Sequence, residues 1–268
     1  MGRTAAGART IAGSRTIAGS RTIASTRTAV GASFAPTDLA NLSLWLKADS
    51  LSLNNNDPVS SWTDSSGNSN TASQATGSKQ PLYKTNIFGS MPALLFDGTN
   101  DYLSVASSGT VLTGSGDFTV YMVTLLNNAS MNGVIMYHRR LDNGRGWTNY
   151  IPGGQTLRMF TSTAGGSSTV NSTANICTGT GKYITTKYVY GSVPGWIIRV
   201  NGTEGESIGA DNNFNTSLDS TDNLDIGGTT DIGYYAGGYI AELLLYKTNH
   251  TAGNITSVES YLATRWGL

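Results

Sequence analysis

The stretch Trp196-Ile-Ile-Arg-Val200-Asn201-Gly202 carries the pattern that decides the fold. Its first, third and fifth side chains are apolar and share one face of an extended chain, whereas the fourth, an arginine, lies on the opposite and partly wet face. The Asn-Gly pair that follows is a strong signal for a two-residue hairpin turn. The stretch therefore predicts a half-buried strand that reverses direction at residue 201.

Similar apolar runs, separated by Gly, Asn and Asp, recur along the chain from Pro36 onwards. Only 13% of the residues are charged, 33 are glycine, and four are glutamate, a composition that favours strands and turns over helices. About a dozen short strands joined by turns predict an all-β, two-sheet antiparallel sandwich. The predicted strands are Leu42–Ala48, Ala93–Phe96, Tyr102–Val105, Phe118–Leu126, Gly133–Arg139, Trp147–Ile151, Leu157–Thr161, Tyr183–Tyr190, Trp196–Val200, Asn223–Ile226 and Tyr239–Tyr246.

One short amphipathic helix is predicted at the end of the sequence, packed on the sandwich. Thr256 and Glu259 have the spacing of a capping box, and Gly267 supplies the stop. The apolar residues at helical spacing are Ile255, Val258, Leu262 and Trp266.

Residues 3–32 form five six-residue repeats, the commonest of which reads Arg-Thr-Ile-Ala-Gly-Ser. An even period places Arg and Ile on one face of an extended chain, whereas on a helix the Ile positions would turn by about 240° each time and form no stripe. One Ile per repeat buries too little surface to offset a backbone ordering cost of about 1–2 kcal/mol per residue. We predict an extended arm over residues 1–35, ahead of a sandwich domain over residues 36–268.

The arm is either disordered or takes its order from other chains. We favour the second reading, in a homo-oligomer and most simply a trimer. The predicted anchoring and oligomerisation residues are Arg9, Ile11, Arg15, Ile17, Arg21 and Ile23.

Charge divides the chain in the same place. Residues 1–35 carry five Arg and no acid, and the remainder holds 12 Lys and Arg against 17 Asp and Glu. A basic arm suits an acidic surface, a carboxylate-bearing partner or nucleic acid, or it is a solvated tail. We expect a protein partner rather than nucleic acid. The sequence contains neither an apolar signal core nor a run of 18 apolar residues, so no membrane insertion is expected.

Three segments in this order resemble the laminin G-like, concanavalin A-like superfamily found in many phage, viral and bacterial surface proteins. The first is Leu44-Trp-Leu-Lys-Ala-Asp49 with the segment Val59–Asn68 that follows it. The second, Ala93-Leu-Leu-Phe-Asp-Gly-Thr-Asn-Asp-Tyr-Leu103, resembles the Phe-Asp-Gly and Asp-Tyr hairpin of the superfamily. The third, Gly238–Tyr246 with Val258–Gly267, resembles its closing strand and terminal helix.

The resemblance covers residues 41–268 and implies a concanavalin A-like jelly-roll sandwich. It does not identify a ligand, because this fold hosts lectins, glucanases and pure scaffolds.

Catalytic sites are poorly supported by the residues present. A retaining glycosidase needs two carboxylates about 5 Å apart. The superfamily's glucanases place them in a Glu-x-Asp-x-Glu cluster, which this sequence lacks. Glu204 and Glu206 flank a turn glycine, Glu242 is expected to face solvent, and Glu259 is assigned to the helix cap. The two histidines are expected at the surface, so we predict that the protein is not an enzyme.

Binding sites are better supported. No resident cofactor is predicted, and Ca²⁺ is the candidate metal because it prefers carboxylate and carbonyl oxygens, although Asp-containing turns explain the same residues. The candidate Ca²⁺ ligands are Asp97, Asp101, Asp219, Asp222 and Asp225. Sugars stack on exposed aromatic rings, which would otherwise serve local packing. The candidate sugar-binding residues are Trp147, Tyr150, Tyr234 and Tyr235.

These observations favour a non-enzymatic structural and binding protein. The first hypothesis is a phage virion decoration or head-fibre protein, anchored to other capsid proteins by its arm, with a lectin-like outer domain that contacts glycans or the host surface. Its expected location is the virion surface. The alternative is a lectin-like adhesin at the bacterial cell surface or outside the cell, and a glycoside hydrolase is the least favoured class.

Overall fold

Antiparallel strands make up most of the regular structure, as the sequence predicts. The computed structural model describes residues 34–106, 118–127, 133–139, 146–153, 156–163, 166–190, 195–208 and 223–268. The strands are β1 Leu42–Lys47, β2 Ser61–Trp62, β3 Ala72–Ser73, β4 Leu82–Phe88, β5 Met91–Asp97, β6 Leu103–Val105, β7 Thr119–Leu126, β8 Gly133–Arg139, β9 Gly146–Ile151, β10 Thr156–Thr163, β11 Gly166–Asn175, β12 Tyr183–Tyr190, β13 Gly195–Val200, β14 Thr203–Ile208, β15 Leu224–Ile226, β16 Gly228–Thr229, β17 Tyr234–Tyr235 and β18 Gly237–Tyr246. The helix α1 spans Ala252–Trp266, and short 3-10 turns lie at Pro36–Asp38, Ala48–Ser50 and Gly77–Lys79.

Within the described ranges the strands form two large sheets and one small one. Sheet A has the order β11-β10-β9-β8-β15-β6-β3-β2, and sheet B has the order β14-β13-β12-β7-β18-β5-β4, with β1 also paired to β18. The strands β16 and β17 form a separate two-stranded hairpin.

The hydrophobic core lies between sheet A and sheet B. Met122 and Leu245 of sheet B belong to the same buried cluster as Met136 and Trp147 of sheet A. At one end Phe118, which precedes β7, packs on Trp147 with ring centroids 4.9 Å apart. Two antiparallel sheets that bury a common apolar layer form a β-sandwich.

The hairpin predicted at residue 201 is confirmed. Strands β13 and β14 pair antiparallel on either side of the turn. Asn201 and Gly202 have φ angles of 48° and 77°, the positive values that the favoured two-residue hairpin turn requires at both positions.

The terminal helix and its stop are also confirmed, but the predicted capping box is wrong. The helix is capped by Thr251, whose side chain accepts a hydrogen bond from the Asn254 amide, and it ends at Gly267 in the left-handed conformation. Thr256 lies inside the helix and donates to the Ala252 carbonyl oxygen. The capping pattern was misplaced because the first turn, residues 252–254, has no buried side chain to mark the true start.

Helix α1 covers the outer face of sheet B. Trp266 packs on Phe88 of β4 with ring centroids 5.5 Å apart, and Ile255 packs on Ile197 of β13. Glu259 does not cap the helix but binds Arg199 of β13, with Nε–Oε1 and Nη2–Oε2 distances of 2.9 and 3.1 Å. Helix α1 is therefore packed on sheet B, and the outer face of sheet A has no helix over it among the described residues.

Several strands escape prediction because they lack an apolar alternation. Strand β11, Gly166–Asn175, contains one large apolar residue, Val170. Strand β14, Thr203–Ile208, follows a turn and consists of polar residues and glycine until Ile208. Both are held by backbone pairing to a neighbouring strand, which imposes no apolar pattern.

Ala35–Leu268 forms one compact unit. The arm predicted over residues 1–35 lies outside the described residues apart from its last two, so the anchoring roles of Arg9, Ile11, Arg15, Ile17, Arg21 and Ile23 stay predictions. Among the described residues, none of the helices has the length and apolar character needed to cross a membrane.

Candidate functional site

The outward-facing side chains of β9 begin the candidate site. Trp147 and Ile151 of this strand are buried in the core between the sheets. Because successive side chains of a strand point to opposite faces, Thr148 and Tyr150 lie on the outer face of sheet A.

The neighbouring strand β10 extends the same surface. Its Arg158 and Phe160 alternate with apolar core residues and therefore also point outward. Arg158 is paired in register with Tyr150, and Phe160 with Thr148. Directly opposed residues of antiparallel strands have Cβ atoms about 4.5–5.5 Å apart, so these four side chains form one continuous patch.

The β16–β17 hairpin turns this patch into a pocket. Tyr234 and the preceding Ile232 line a cavity of about 430 Å³ together with the four strand residues and Pro152. We call this cavity the aromatic pocket. Its volume lies in the lower part of the range of about 300–1,000 Å³ typical of small-ligand sites. Tyr234 is 37% exposed, so its ring is accessible at the rim.

A carboxylate anchors the hairpin to sheet A. Ser104 of β6 donates its hydroxyl hydrogen bond to Asp225 of β15, and Thr229 of β16 also bonds to Asp225. The Thr229 hydroxyl accepts from the Asp231 amide at 3.3 Å, which holds the turn leading to the pocket. Burial raises the pKa of Asp225, the hydrogen bonds from Ser104 and Thr229 lower it, and the charge of Asp231 raises it.

Two glycines at the start of the hairpin pack closely against neighbouring groups. A Cβ atom at Gly227, whose φ is +82°, would lie 2.1 Å from the Phe96 ring. A Cβ atom at Gly228 would lie 2.3 Å from the Tyr235 ring and 2.9 Å from the Asp101 carbonyl oxygen. A side chain at either position would therefore clash with the Phe96 ring, or with the Tyr235 ring and the Asp101 carbonyl oxygen, so the path of the hairpin requires glycine here.

Arg158 is oriented by Tyr150 within the pocket. Its Nη1 atom donates to the Tyr150 hydroxyl at 3.3 Å, and its guanidinium carbon lies 5.8 Å from the centroid of the Tyr150 ring. The guanidinium is thus held against an aromatic face by both a hydrogen bond and a cation–π contact.

The structure separates the four predicted sugar-binding residues. Tyr150 and Tyr234 lie together in the aromatic pocket. The interpretation of Trp147 as an exposed platform is wrong, because its side chain is fully buried between the sheets. Tyr235 lies outside the lining and packs on Gly228; burial first, and the nearby Tyr102 and Asp225 second, raise the pKa of its hydroxyl.

Five lining residues were missed at the sequence level. They are Thr148, Pro152, Arg158, Phe160 and Ile232. Arg158 and Phe160 could have been found, because they alternate with Leu157 and Met159 in a predicted strand and so belong to its outer face. No sequence signal places Ile232 beside them, since the contact depends on the path of the hairpin.

Asp97 and Asp101, two of the residues considered for Ca²⁺, form hydrogen bonds within the protein itself. Asp97 accepts hydrogen bonds from the backbone amides of Thr99, Asn100 and Asp101, as expected for an aspartate in a turn. Asp101 accepts a hydrogen bond from the Asp97 amide at 3.0 Å. Burial and the charge of Asp97 raise the pKa of Asp101 to about 6, against the backbone hydrogen bond from Asp97.

Asp225 anchors the hairpin, and Asp219 and Asp222 lie outside the described residues. Within the described ranges, no three His, Cys, Asp or Glu side chains come together as a metal site would require.

Glu242 does not face solvent as expected. Its carboxylate is fully buried beneath helix α1, where it accepts hydrogen bonds from Trp45 Nε1 at 2.6 Å and Trp266 Nε1 at 2.5 Å. The expectation was wrong because the alternation of β18 identifies an outer face but cannot show that a helix covers it. Glu259 binds Arg199, and Glu204, whose side chain is 54% exposed, binds the same arginine at 3.0 Å.

The histidines are also buried rather than at the surface, each with 4% of its area exposed. His138 stacks on Trp147 with centroids 6.4 Å apart, and His250 lies 2.7 Å from the Tyr121 hydroxyl through Nδ1. Aromatic neighbours from other strands cover both rings, which local sequence does not reveal.

Comparisons with known proteins identify solved structures with a similar fold. No family model matches the sequence, and no curated protein matches it significantly. Solved structures match clearly. The binding domain of Paraclostridial Mosquitocidal Protein 1 has a TM-score of 0.58 and 13% identity over 84% of this chain and 52% of that one. The ligand binding domain of Botulinum neurotoxin serotype D in complex with N-acetylneuraminic acid has a TM-score of 0.57 and 12% identity, with coverages of 84% and 52%.

A third similar structure is the CBM40 of the Ruminococcus gnavus IT-sialidase bound to alpha2,3 sialyllactose. It has a TM-score of 0.50 and 15% identity over 66% of this chain and 98% of that one. This chain spans about half the length of the two toxin domains. At these identities the likeness concerns the fold.

Proposed function

We propose that Ala35–Leu268 is a carbohydrate-binding domain and that the aromatic pocket is its binding site. The observation that carries the proposal is a cavity of about 430 Å³ on the outer face of sheet A that combines the rings of Tyr150, Phe160 and Tyr234 with the polar groups of Thr148 and Arg158. Sugar rings present an apolar C–H face and a polar rim of hydroxyl groups. A site with stacking rings and a few directed polar groups matches both.

The solved structures support this proposal by analogy. Two of the similar structures contain a bound sialic-acid ligand, N-acetylneuraminic acid in one and alpha2,3 sialyllactose in the other. We further assign the fold to the concanavalin A-like, laminin G-like superfamily with a jelly-roll topology, on the three sequence segments that resemble it. A binding role also fits the carboxylates, since Glu242 and Glu259 are bound within the protein.

Removing a pocket ring tests the site. Tyr234→Ala and Phe160→Ala are each expected to weaken binding about 10-fold, because an aromatic contact contributes about 0.5–1.5 kcal/mol beyond the area that it buries. The measurement is a glycan array followed by calorimetry on the best-bound glycan. Leu268→Ala is the matched control, since Leu268 is 39% exposed but lies beyond α1, on the sheet B side. An array on which the unaltered protein binds no glycan, or on which both variants bind normally, refutes the assignment.

We propose further that the repeat arm carries this domain on a larger assembly, a phage virion, where the domain projects from the surface. The arm repeats a basic and an apolar residue every six positions, and a single chain of this pattern has too little apolar surface to fold. The second candidate, an adhesin at the bacterial surface, would use the same pocket.

Deleting residues 1–33 tests the role of the arm. The full chain is expected to have three times its 28.1 kDa mass in solution, and the truncated protein is expected to be monomeric with unchanged glycan binding. Light scattering during size-exclusion chromatography measures both masses. A monomeric full chain with a protease-sensitive arm would contradict the anchoring proposal.

A further inference from the structure

The aromatic pocket contains a positively charged side chain. Among the described residues that line it, Arg158 is charged and none is an Asp or a Glu. We propose that the pocket selects a sugar that carries a carboxylate, with Arg158 as the residue that determines this specificity. The inference rests on the proposed function and names the ligand class of the same site.

The chemistry of a guanidinium suits this role. It carries five N–H donors in a planar fork that matches the two oxygens of a carboxylate. Charge-assisted hydrogen bonds of this kind are roughly twice as strong as neutral ones. A neutral sugar would meet the same guanidinium with a hydroxyl group, which forms the weaker bond.

The position of Arg158 supports selectivity as well as attraction. It projects from β10, which is paired on one side with β9 and on the other with β11, so its backbone is fixed by two ladders. The Tyr150 hydroxyl and ring then restrict the guanidinium itself, through the 3.3 Å hydrogen bond and the 5.8 Å ring contact. A donor group that is held before the ligand arrives loses less entropy on binding.

The size of the pocket limits how much of a glycan it receives. A cavity of about 430 Å³ holds a terminal sugar unit rather than an extended chain. In this arrangement the ring of the terminal unit stacks on the rim residue Tyr234 or on Phe160, and its carboxylate binds Arg158. The sialic acids and the hexuronic acids are natural sugars with this chemistry, and they supply the probes.

Paired ligands test the inference without altering the protein. The probes are sialyllactose and a glucuronic-acid-terminated disaccharide, each beside the form whose carboxyl group is reduced to an alcohol, with lactose as the neutral reference. At least one acid is expected to bind about 10- to 100-fold more tightly than its reduced form, as one charge-assisted hydrogen-bonded pair predicts. The acid that binds identifies the source. Equal affinity for acid and reduced forms overturns the inference.

Variants then assign the preference to Arg158. Arg158→Gln is expected to remove the difference between acid and reduced sugar, and Arg158→Lys, which keeps the charge without the fork, is expected to retain part of it. Lys84→Gln is the control, because it removes one positive charge from β4 of the other sheet. A preference that survives in a folded Arg158→Gln protein refutes the role of Arg158.

The two levels of the proposal fail in different ways. Binding of lactose and the reduced sugars as tightly as the acids, with loss in Tyr234→Ala, overturns the carboxylate specificity and leaves the glycan-binding function in place. Absence of binding to all five probes overturns the specificity for acidic sugars, and the glycan array then decides the function separately.

Discussion

Replacing Glu242 by alanine is expected to lower the free energy of unfolding by about 3–5 kcal/mol, the usual cost of removing one partner of a buried charge pair. The carboxylate accepts from Trp45, Trp266 and Tyr261, the last at 3.2 Å, and lies 3.3 Å from the Arg265 Nε atom. Alanine would leave the buried indole N–H groups of Trp45 and Trp266 without their acceptor. Urea unfolding followed by tryptophan fluorescence measures the loss.

The network explains why one residue has so large an effect. Glu242 belongs to β18, Trp45 to β1, and Trp266 to helix α1, so its oxygens join β18 both to the first strand of the sheet and to the helix that follows β18. Burial raises the pKa of the Glu242 carboxyl, although the bonds from both tryptophans and the charge of Arg265 act in the opposite direction. The acid is therefore costly to bury and costly to remove.

Two further variants make this prediction specific. Glu242→Gln keeps the shape but turns one acceptor oxygen into a donor, and we expect a smaller loss of about 1–3 kcal/mol from one unpaired buried group. Glu204→Gln, which alters an exposed partner of Arg199, is expected to change stability by less than about 1 kcal/mol. If Glu242→Ala were no more harmful than Glu204→Gln, helix α1 would not depend on this network.

Acidification is the second large effect. Burial lowers the pKa of His250 from 6.5 to about 4. Between these values the unfolded chain binds more protons than the folded one, so the stability is fully present above pH 6.5 and falls as the pH falls towards 4. A difference of this size amounts to at most about 3 kcal/mol. Urea unfolding at a series of pH values measures the slope.

The surroundings of His250 account for its preference for the neutral form. Its Nδ1 atom lies 2.7 Å from the Tyr121 hydroxyl and its ring lies 4.3 Å from the Tyr246 ring, while Nε2 has no hydrogen-bond partner among the described residues. An imidazolium needs acceptors at both nitrogens, and this site does not supply the second.

A non-titrating variant isolates this contribution. His250→Gln can keep a polar contact with Tyr121 but cannot bind a proton in this range, so its stability is expected to fall less between pH 6.5 and 4. His138 is present in both proteins, so the difference between the two curves belongs to His250. Parallel curves would show that His250 does not control the acid sensitivity.

The fold could be predicted in outline because strands, turns and helices each produce a recognisable pattern in neighbouring residues. Alternation in Trp196–Val200 and the Asn201-Gly202 pair determine a strand and its turn within a few residues. Strand β11 could not be predicted in this way, since it depends on pairing with β10 along its length. The candidate site could be predicted in part. Tyr150 was predicted because it is an aromatic residue, and Arg158 could have been predicted because it alternates with apolar residues along its strand.

The amino-acid sequence by itself determined the all-β class, the hairpin at residue 201, the terminal helix and its stop at Gly267, because each depends on neighbouring residues. Only the tertiary structure decided which aromatic rings face solvent: Trp147 became core and Tyr234 became the rim of a pocket. The same holds for Glu242, which was expected at the surface and is buried because helix α1 covers it. Burial is a property of what packs above a residue, and that partner can lie anywhere in the chain.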